Sequence, residues 1–428
     1  MLMKLIIVLC LSVIIVHSLP INKKGLLDIQ IKDNVYPLPK SFSGVYEANK
    51  KLSQTLKLHN HNITGPESLA IFNGRIVASA MDGYIYEIND DLLKPILKIA
   101  EQSCHEIQPK ENIRCSRPLG MKFDSKGVLY VVEPYLGVFA IENIFKDNPK
   151  VTLVFDIEET RSLGKVSTFL DDLTIDEGAG ASGGHVLYVS DVSQKFYLHN
   201  FVWTIMTSDL GRVVSYDVNA KKVESVVQNL FFPNGMEITD DRTAILINEF
   251  GARQVIKHYI KGPKKGESKI LLSGLPGEPD NIRRSDNKDK ETYWLALLSA
   301  RTEENPSTLD LFLRDRDFRR QLTQLLTIAN RIFNFFGDFF DNKWFHDLAA
   351  YINNDIPIHH IWFDETLNYG MIVEIDGNGD IIRTLQAPDS SLTKLTEVRE
   401  IRINSGKQSI LYIGSFINDY LGKLVIEN

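Results

Sequence analysis

The chain has 428 residues, enough to bury a large core, and 43 % of them are apolar, which supplies one. Its 48 Lys and Arg against 55 Asp and Glu give a net charge of −7, and the densest basic patch, Lys261 to Lys265, is broken by Gly262 and Pro263. Scattered basic residues on an acidic chain argue against a nucleic-acid surface.

The N-terminus carries Lys4, an apolar run from Leu5 to Val16 broken by Ser12, and the small-residue end Val16-His17-Ser18. This predicts a signal peptide over 1–18 and a secreted chain over 19–428. An N-terminal anchor is the alternative, but the run is about a dozen residues where a spanning helix needs roughly 20. No later stretch is long and apolar enough to span a membrane. Asn62-Ile63-Thr64 is an N-glycosylation acceptor. Of three cysteines, Cys10 leaves with the signal. Cys104 and Cys115 then pair as a disulfide in an oxidising compartment, or stay as free thiols; two ligands alone make a poor zinc site.

A short β-rich strand recurs six times: Ile76–Ser79, Leu129–Val132, Leu187–Ser190, Ile245–Asn248, Tyr293–Ala296 and Leu411–Gly414. A corner precedes each, at Pro66-Glu67-Ser68, Arg117-Pro118-Leu119, Leu170-Asp171-Asp172, Pro233-Asn234-Gly235, Pro279-Asp280-Asn281 and Thr396-Glu397-Val398. A further strand follows most of them, as at Gly83–Tyr86 and Gly137–Ala140. Corner, strand, turn, strand is the beat of a propeller blade, so the chain reads as one all-β, six-bladed β-propeller. Between Thr302 and Asp355 the beat stops. Leu311, Phe318, Leu322, Leu325 and Ile332 fall at helical spacings, which predicts a helical insertion over 302–355 in the fifth blade. Its aromatic end, Phe333 to Phe345, is expected to pack against the propeller; a lid or a membrane-surface patch are the alternatives.

The segments Cys115-Ser116-Arg117-Pro118-Leu119-Gly120, Phe232-Pro233-Asn234-Gly235, Leu275 to Ile282 and Leu411 to Ser415, in this order, resemble the strictosidine synthase-like family. The likeness runs from about Gly65 to Leu424 and implies the six-bladed fold. Membrane-held relatives carry an N-terminal span where this chain has only the short run.

In a propeller the corners converge on the central channel, which would gather Glu67, Asp171, Asn234, Asp280 and Asn281. Each singly also reads as turn chemistry. Together they are oxygen donors suited to Ca2+, which takes six to eight such ligands. These positions look like the calcium ligands of the paraoxonase and gluconolactonase propellers, except that Asp171 stands where the paraoxonase pattern has Asn.

Strictosidine synthases use a glutamate near the start of the last inner strand. The matching position is Thr396, which cannot exchange a proton near neutral pH, and strand alternation turns its neighbour Glu397 to the other face. Synthase activity is therefore not expected. Paraoxonase-type lactonases use two histidines that correspond to Leu119 and Pro134 here, so another base is needed, such as Glu133, Asp191 or Glu249. Gly180-Ala181-Ser182-Gly183-Gly184 is a hairpin loop and not a serine-hydrolase elbow, and no nucleotide-binding glycine motif occurs. Two readings remain: a secreted calcium-dependent hydrolase acting on small esters or lactones, and an extracellular binding propeller with a structural calcium and a cell-surface partner.

Overall fold

In the computed structural model residues 42–104, 115–207, 209–302, 310, 315–353 and 368–428 are described. The expected signal peptide, 1–18, lies outside them. The chain divides into two compact units. One holds the strands and the other the helices.

The first unit is six four-stranded antiparallel sheets. Blades 1 to 5 each take four consecutive strands. Blade 6 combines Leu395–Ile403, Gln408–Ser415 and Leu421–Glu427 with a strand from the other end of the chain, Leu56–Leu58. That strand pairs Leu56 with Lys423 and Leu58 with Leu421, so the ring closes by joining early and late segments. The six recurring strands predicted from sequence are the second strands of the six blades.

Alternation explains the core. Among the described residues six apolar clusters form, and each mixes residues of neighbouring blades. Tyr130, Val132 and Val138 of blade 2, for example, pack with Leu170, Leu173 and Leu187 of blade 3. A blade of one sheet cannot cover both its faces, so each one buries them against its neighbours and none stands alone.

The innermost strands depart from alternation where it matters most. Blades 3, 4, 5 and 6 have register shifts at the corner end of these strands, between Leu170 and Leu173, Pro233 and Met236, Pro279 and Ile282, and Leu395 and Glu397. A bulge re-aims side chains, so that successive residues share one face. The expectation that Glu397 turns away from the channel fails for this reason. It is fully buried and meets Arg283 of blade 5 and Ser68 of blade 1.

The second unit contains α1 (Phe201–Thr207), α2 (Arg316–Phe340) and α3 (Lys343–Asn353). Helices α2 and α3 lie between the second and third strands of blade 5 in the chain, as the sequence predicts; α1, between the same strands of blade 3, was not expected. Asp315 caps α2, its side chain accepting from Phe318 N at 2.9 Å. Phe335, Phe339, Phe340 and Trp344 remain 57 to 69 % exposed. Among the described residues no helix is long and apolar enough to cross a membrane.

Cys104 and Cys115 form a disulfide, with Cα atoms 4.8 Å apart. Asn62 is exposed, as an acceptor of glycan must be, and next to it Ile63 is buried.

Candidate functional site: the mouth of the channel

The corner residues meet at one end of the innermost strands. Glu67 precedes the innermost strand of blade 1 (Leu69–Phe72). Asp171 lies in that of blade 3 (Phe169–Asp176), Asn234 in that of blade 4 (Pro233–Ile238), and Asp280 and Asn281 in that of blade 5 (Gly277–Arg284). None is more than 7 % exposed.

Asn281 Nδ2 donates to Glu67 Oε1 at 2.8 Å. Asp171 and Asp280 each feel the charge of Glu67, and Asp280 that of Asp171. The structure therefore brings Glu67, Asp171, Asp280 and Asn281 together. Asn234 reaches them through its neighbour Gly235, where a Cβ would stand 2.4 Å from Asn281 Cα and 2.7 Å from Asp280 O. Glycine is what lets blades 4 and 5 approach so closely at this corner.

Burial pushes the Glu67 carboxyl up to about 7; Arg117 draws it down, while Glu397 and Asp172 push it further up. Asp171 is raised well above the usual carboxylate range by burial and then by Glu67 and Asp172, and Asp280 by burial and then by Glu67 and Asp171. The cation acting on this group from the mouth side is Arg117. Its guanidinium donates to the carbonyls of Gly65 and Phe416 at 3.3 and 3.1 Å, and burial lowers it to about 10. Three carboxyl groups converge here, and burial and the charge of their neighbours hold all three above the usual carboxylate range. Glu67 Oε2 and Asn234 Oδ1 are buried and accept no hydrogen bond from the described residues. Such a set is costly unless something positive completes it.

Below the mouth lies a cluster that the sequence did not announce. Arg283 holds Asp172 with two donors, Nη1 to Oδ2 at 2.5 Å and Nη2 to Oδ1 at 3.1 Å, and gives Nε to Glu397 Oε2 at 3.0 Å. Ser68 Oγ donates to the same Glu397 oxygen at 3.1 Å, and Met236 N donates to Asp172 Oδ2 at 2.7 Å. The signal for this cluster was present as Asp171-Asp172 and Thr396-Glu397, but a period of two turned Glu397 to the other face, and Asp172 was not singled out.

The three candidate bases are structural ties. Glu133 accepts from Arg117 N at 2.9 Å, with Ser116 Oγ at 2.6 Å. Asp191 accepts from Arg212 Nε and Ser167 Oγ, both at 2.6 Å. Glu249 accepts from Phe231 N and Gln254 Nε2, again at 2.6 Å. Each sits near the end of a second strand and fixes the corner beside it. Leu119 is a buried apolar side chain, and Pro134 lends its carbonyl to Leu170 N. Thr396 Oγ1 donates to Glu67 O at 2.8 Å, so at that position a hydroxyl holds the corner of blade 1.

Two family models match. Strictosidine synthase covers residues 171–263, and the N-terminal model of strictosidine synthase-like proteins covers residues 44–88. In these segments the chain is similar to strictosidine synthase-like proteins. Relatives include the adipocyte plasma membrane-associated protein of Bos taurus, 28 % identical over 90 % of this chain and 82 % of its own length. The human protein of that name is 26 % identical over 93 % of this chain and 85 % of its own length. The Drosophila melanogaster protein called hemomucin is 26 % identical over 92 % of this chain, which spans only 64 % of it. Among solved structures, a gluconolactonase from Xanthomonas campestris aligns over 93 % of this chain and 100 % of its own, with a TM-score of 0.48 and 10 % identity. A regucalcin from Agrobacterium tumefaciens aligns over 89 and 94 %, with a TM-score of 0.49 and 9 % identity.

The propeller also carries a polar cleft of about 710 Å3, lined in part by Lys257, Lys290, Thr292, Glu374, Arg383 and Arg402. It lies at the other ends of the blade strands and contains none of the five corner residues. Among the described residues no group of three or more His, Cys, Asp or Glu is arranged to hold a metal ion. Carboxylates of like charge do not close on one another unaided, and two of the five corner donors are carboxamides.

Proposed function

We propose that this is a secreted propeller that takes a calcium ion at the mouth of its channel and hydrolyses small esters or lactones there. The observation that carries the reading is the convergence of buried Glu67, Asp171 and Asp280, each raised by burial and by its neighbours' charge, beside the orphaned oxygens of Glu67 and Asn234. A hard dication is the group whose charge and ligand preference answer both. The donor set has no sulfur and no imidazole, which disfavours softer metals.

Glu67, Asp171, Asn234, Asp280 and Asn281 would hold the ion. It would supply polarisation of an ester carbonyl and stabilisation of the oxyanion that follows. The chain's own part is electrostatic and geometric. The carboxylates set the charge, and the hydrogen bond from Asn281 orients Glu67.

One observation favours the second reading, a binding propeller with a structural ion. Glu133, Asp191 and Glu249 are all engaged in corner-fixing hydrogen bonds, which leaves none of them free to activate water.

The deciding experiment is hydrolysis of phenyl acetate and a lactone panel by the purified protein, with calcium and after chelation, repeated on Asn234→Ala/Asp280→Ala. The hydrolase reading expects turnover that is lost on chelation, returns with calcium, and is absent from a folded double variant. Turnover that survives in that variant sinks the metal-assisted mechanism. No turnover, with a melting temperature that rises with calcium, makes the propeller a binding module.

A further inference from the structure

The channel below the mouth is filled by two charged layers, and each layer takes a group from every blade. In the upper layer Ser68 comes from blade 1, Met121 N from blade 2, Asp172 from blade 3, Met236 from blade 4, Arg283 from blade 5 and Glu397 from blade 6. Met121 N donates to Ser68 Oγ at 3.3 Å, and the Arg283 guanidinium lies 3.4 Å from that same oxygen. In the lower layer Lys122 of blade 2 pairs with Glu237 of blade 4 and donates to Thr174 of blade 3 at 3.2 Å. Arg284 N of blade 5 donates to Glu237 at 3.2 Å, and Arg399 of blade 6 donates to Leu69 O of blade 1 at 2.7 Å. The two layers balance, with Arg283, Lys122 and Arg399 against Asp172, Glu397 and Glu237.

Four members of the upper layer are chain neighbours of the mouth residues. Ser68 follows Glu67, Asp172 follows Asp171, Met236 is two residues after Asn234, and Arg283 is two after Asn281. One side chain connects them. Arg283 is 2 % exposed at its side chain, uses all three of its nitrogens, and its charge acts on Glu67, Asp171 and Asp280. A planar, bidentate fork fixes the position of a carboxylate in a way that a lysine ammonium does not.

We propose that Arg283 is the positioning residue of the mouth: by clamping Asp172 and Glu397 across the channel it sets the backbone register in which the corner oxygens face a single ion. The inference rests on the calcium reading above. Arg283 touches no ion itself and acts through the strands it ties.

The test is calcium titration calorimetry on the full-length, chelator-stripped protein, alongside its melting temperature without calcium. Arg283→Lys keeps the charge and loses the fork. Ser68→Ala trims the same cluster more gently. Lys122→Met/Glu237→Gln disturbs the lower layer only and controls for general loss of stability. Arg283→Lys is expected to weaken calcium binding at least tenfold and Ser68→Ala about threefold, while the lower-layer variant melts earlier with a Kd within about twofold of wild type. A mere structural role for Arg283 predicts that all three variants melt earlier and bind alike, and this overturns the proposal. If Arg283→Lys does not fold, Ser68→Ala decides between the same two outcomes. Wild-type protein that takes up no calcium overturns the ion reading itself, and this inference with it.

Discussion

At the residue scale, the corner of blade 2 shows how a buried carboxyl is used without chemistry. Ser116 Oγ lies 2.6 Å from Glu133 Oε1 and 2.9 Å from Gly83 O, yet its hydroxyl has one proton to give. A protonated Glu133 resolves the conflict, since it donates to Ser116, which then donates to Gly83, while Oε2 accepts from Arg117 N. Burial pushes Glu133 up to about 7, against the pull of Ser116 and Arg117. The folded state therefore holds a proton that the unfolded chain releases near pH 4.5. Stability from this group is full below about 4.5 and is lost as pH rises to about 7, on the order of 3 kcal/mol in all. Glu133→Gln reproduces the neutral arrangement and removes the titration. Urea unfolding at pH 5 and pH 8 should show the variant gaining at least 1 kcal/mol on wild type at pH 8 relative to pH 5. An unchanged difference between the two pH values contradicts this account of Glu133.

Which residues reach the mouth was legible in the sequence, because turn formers beside Pro and Gly mark corners and the corners recur. What lies beneath was not. Arg283 appears as one arginine of an Arg-Arg pair, and nothing local says that it binds carboxylates on two other strands while Arg284 binds Asp240 outside the channel. Partners 111 and 114 residues away are set by ring closure alone.

At the scale of elements, the second strands were found because they are buried on both faces and read as unbroken apolar runs. The outermost strands were missed for the opposite reason. Lys150–Asp156 and Ser268–Leu272 leave most of their residues exposed, and Leu93–Lys98 contains Pro95, all of which is edge-strand chemistry and weak as a pattern. The bulges in the innermost strands carry no reliable sequence mark either, and they are what place Asp172 and Glu397 in the channel. The disulfide is the element-scale feature that composition and compartment did identify. It closes a short loop, so Cys104→Ser/Cys115→Ser should cost about 3 kcal/mol in denaturant unfolding, mainly by freeing the unfolded chain. A loss below about 0.5 kcal/mol would mean that the loop ends are held by other contacts. The parallel bridge of Ser103 with Ser116 is the first candidate.

At the scale of the molecule, the ring is closed by three pairs between Leu56–Leu58 and Leu421–Lys423, and Leu52 just ahead of them is fully buried in the core between blades 5 and 6. A chain that starts after Leu58 loses both. Its stability should fall on the order of 5 kcal/mol, seen as an earlier melt and faster proteolysis at the blade 6 edge. An unaltered melt would show that the ring does not need its closing strand.

Closure also gives the mouth its character. Carboxyl groups from blades 1, 3 and 5 meet only because the ring is complete, and burial with mutual repulsion raises all three at the mouth. Inductively coupled plasma analysis and calorimetric titration of chelator-stripped protein therefore test the central claim most directly. The account predicts one calcium per chain in the wild type and none in Asp171→Asn/Asp280→Asn, with the fold retained in both. Zero calcium in the wild type, or equal uptake by the double variant, contradicts it.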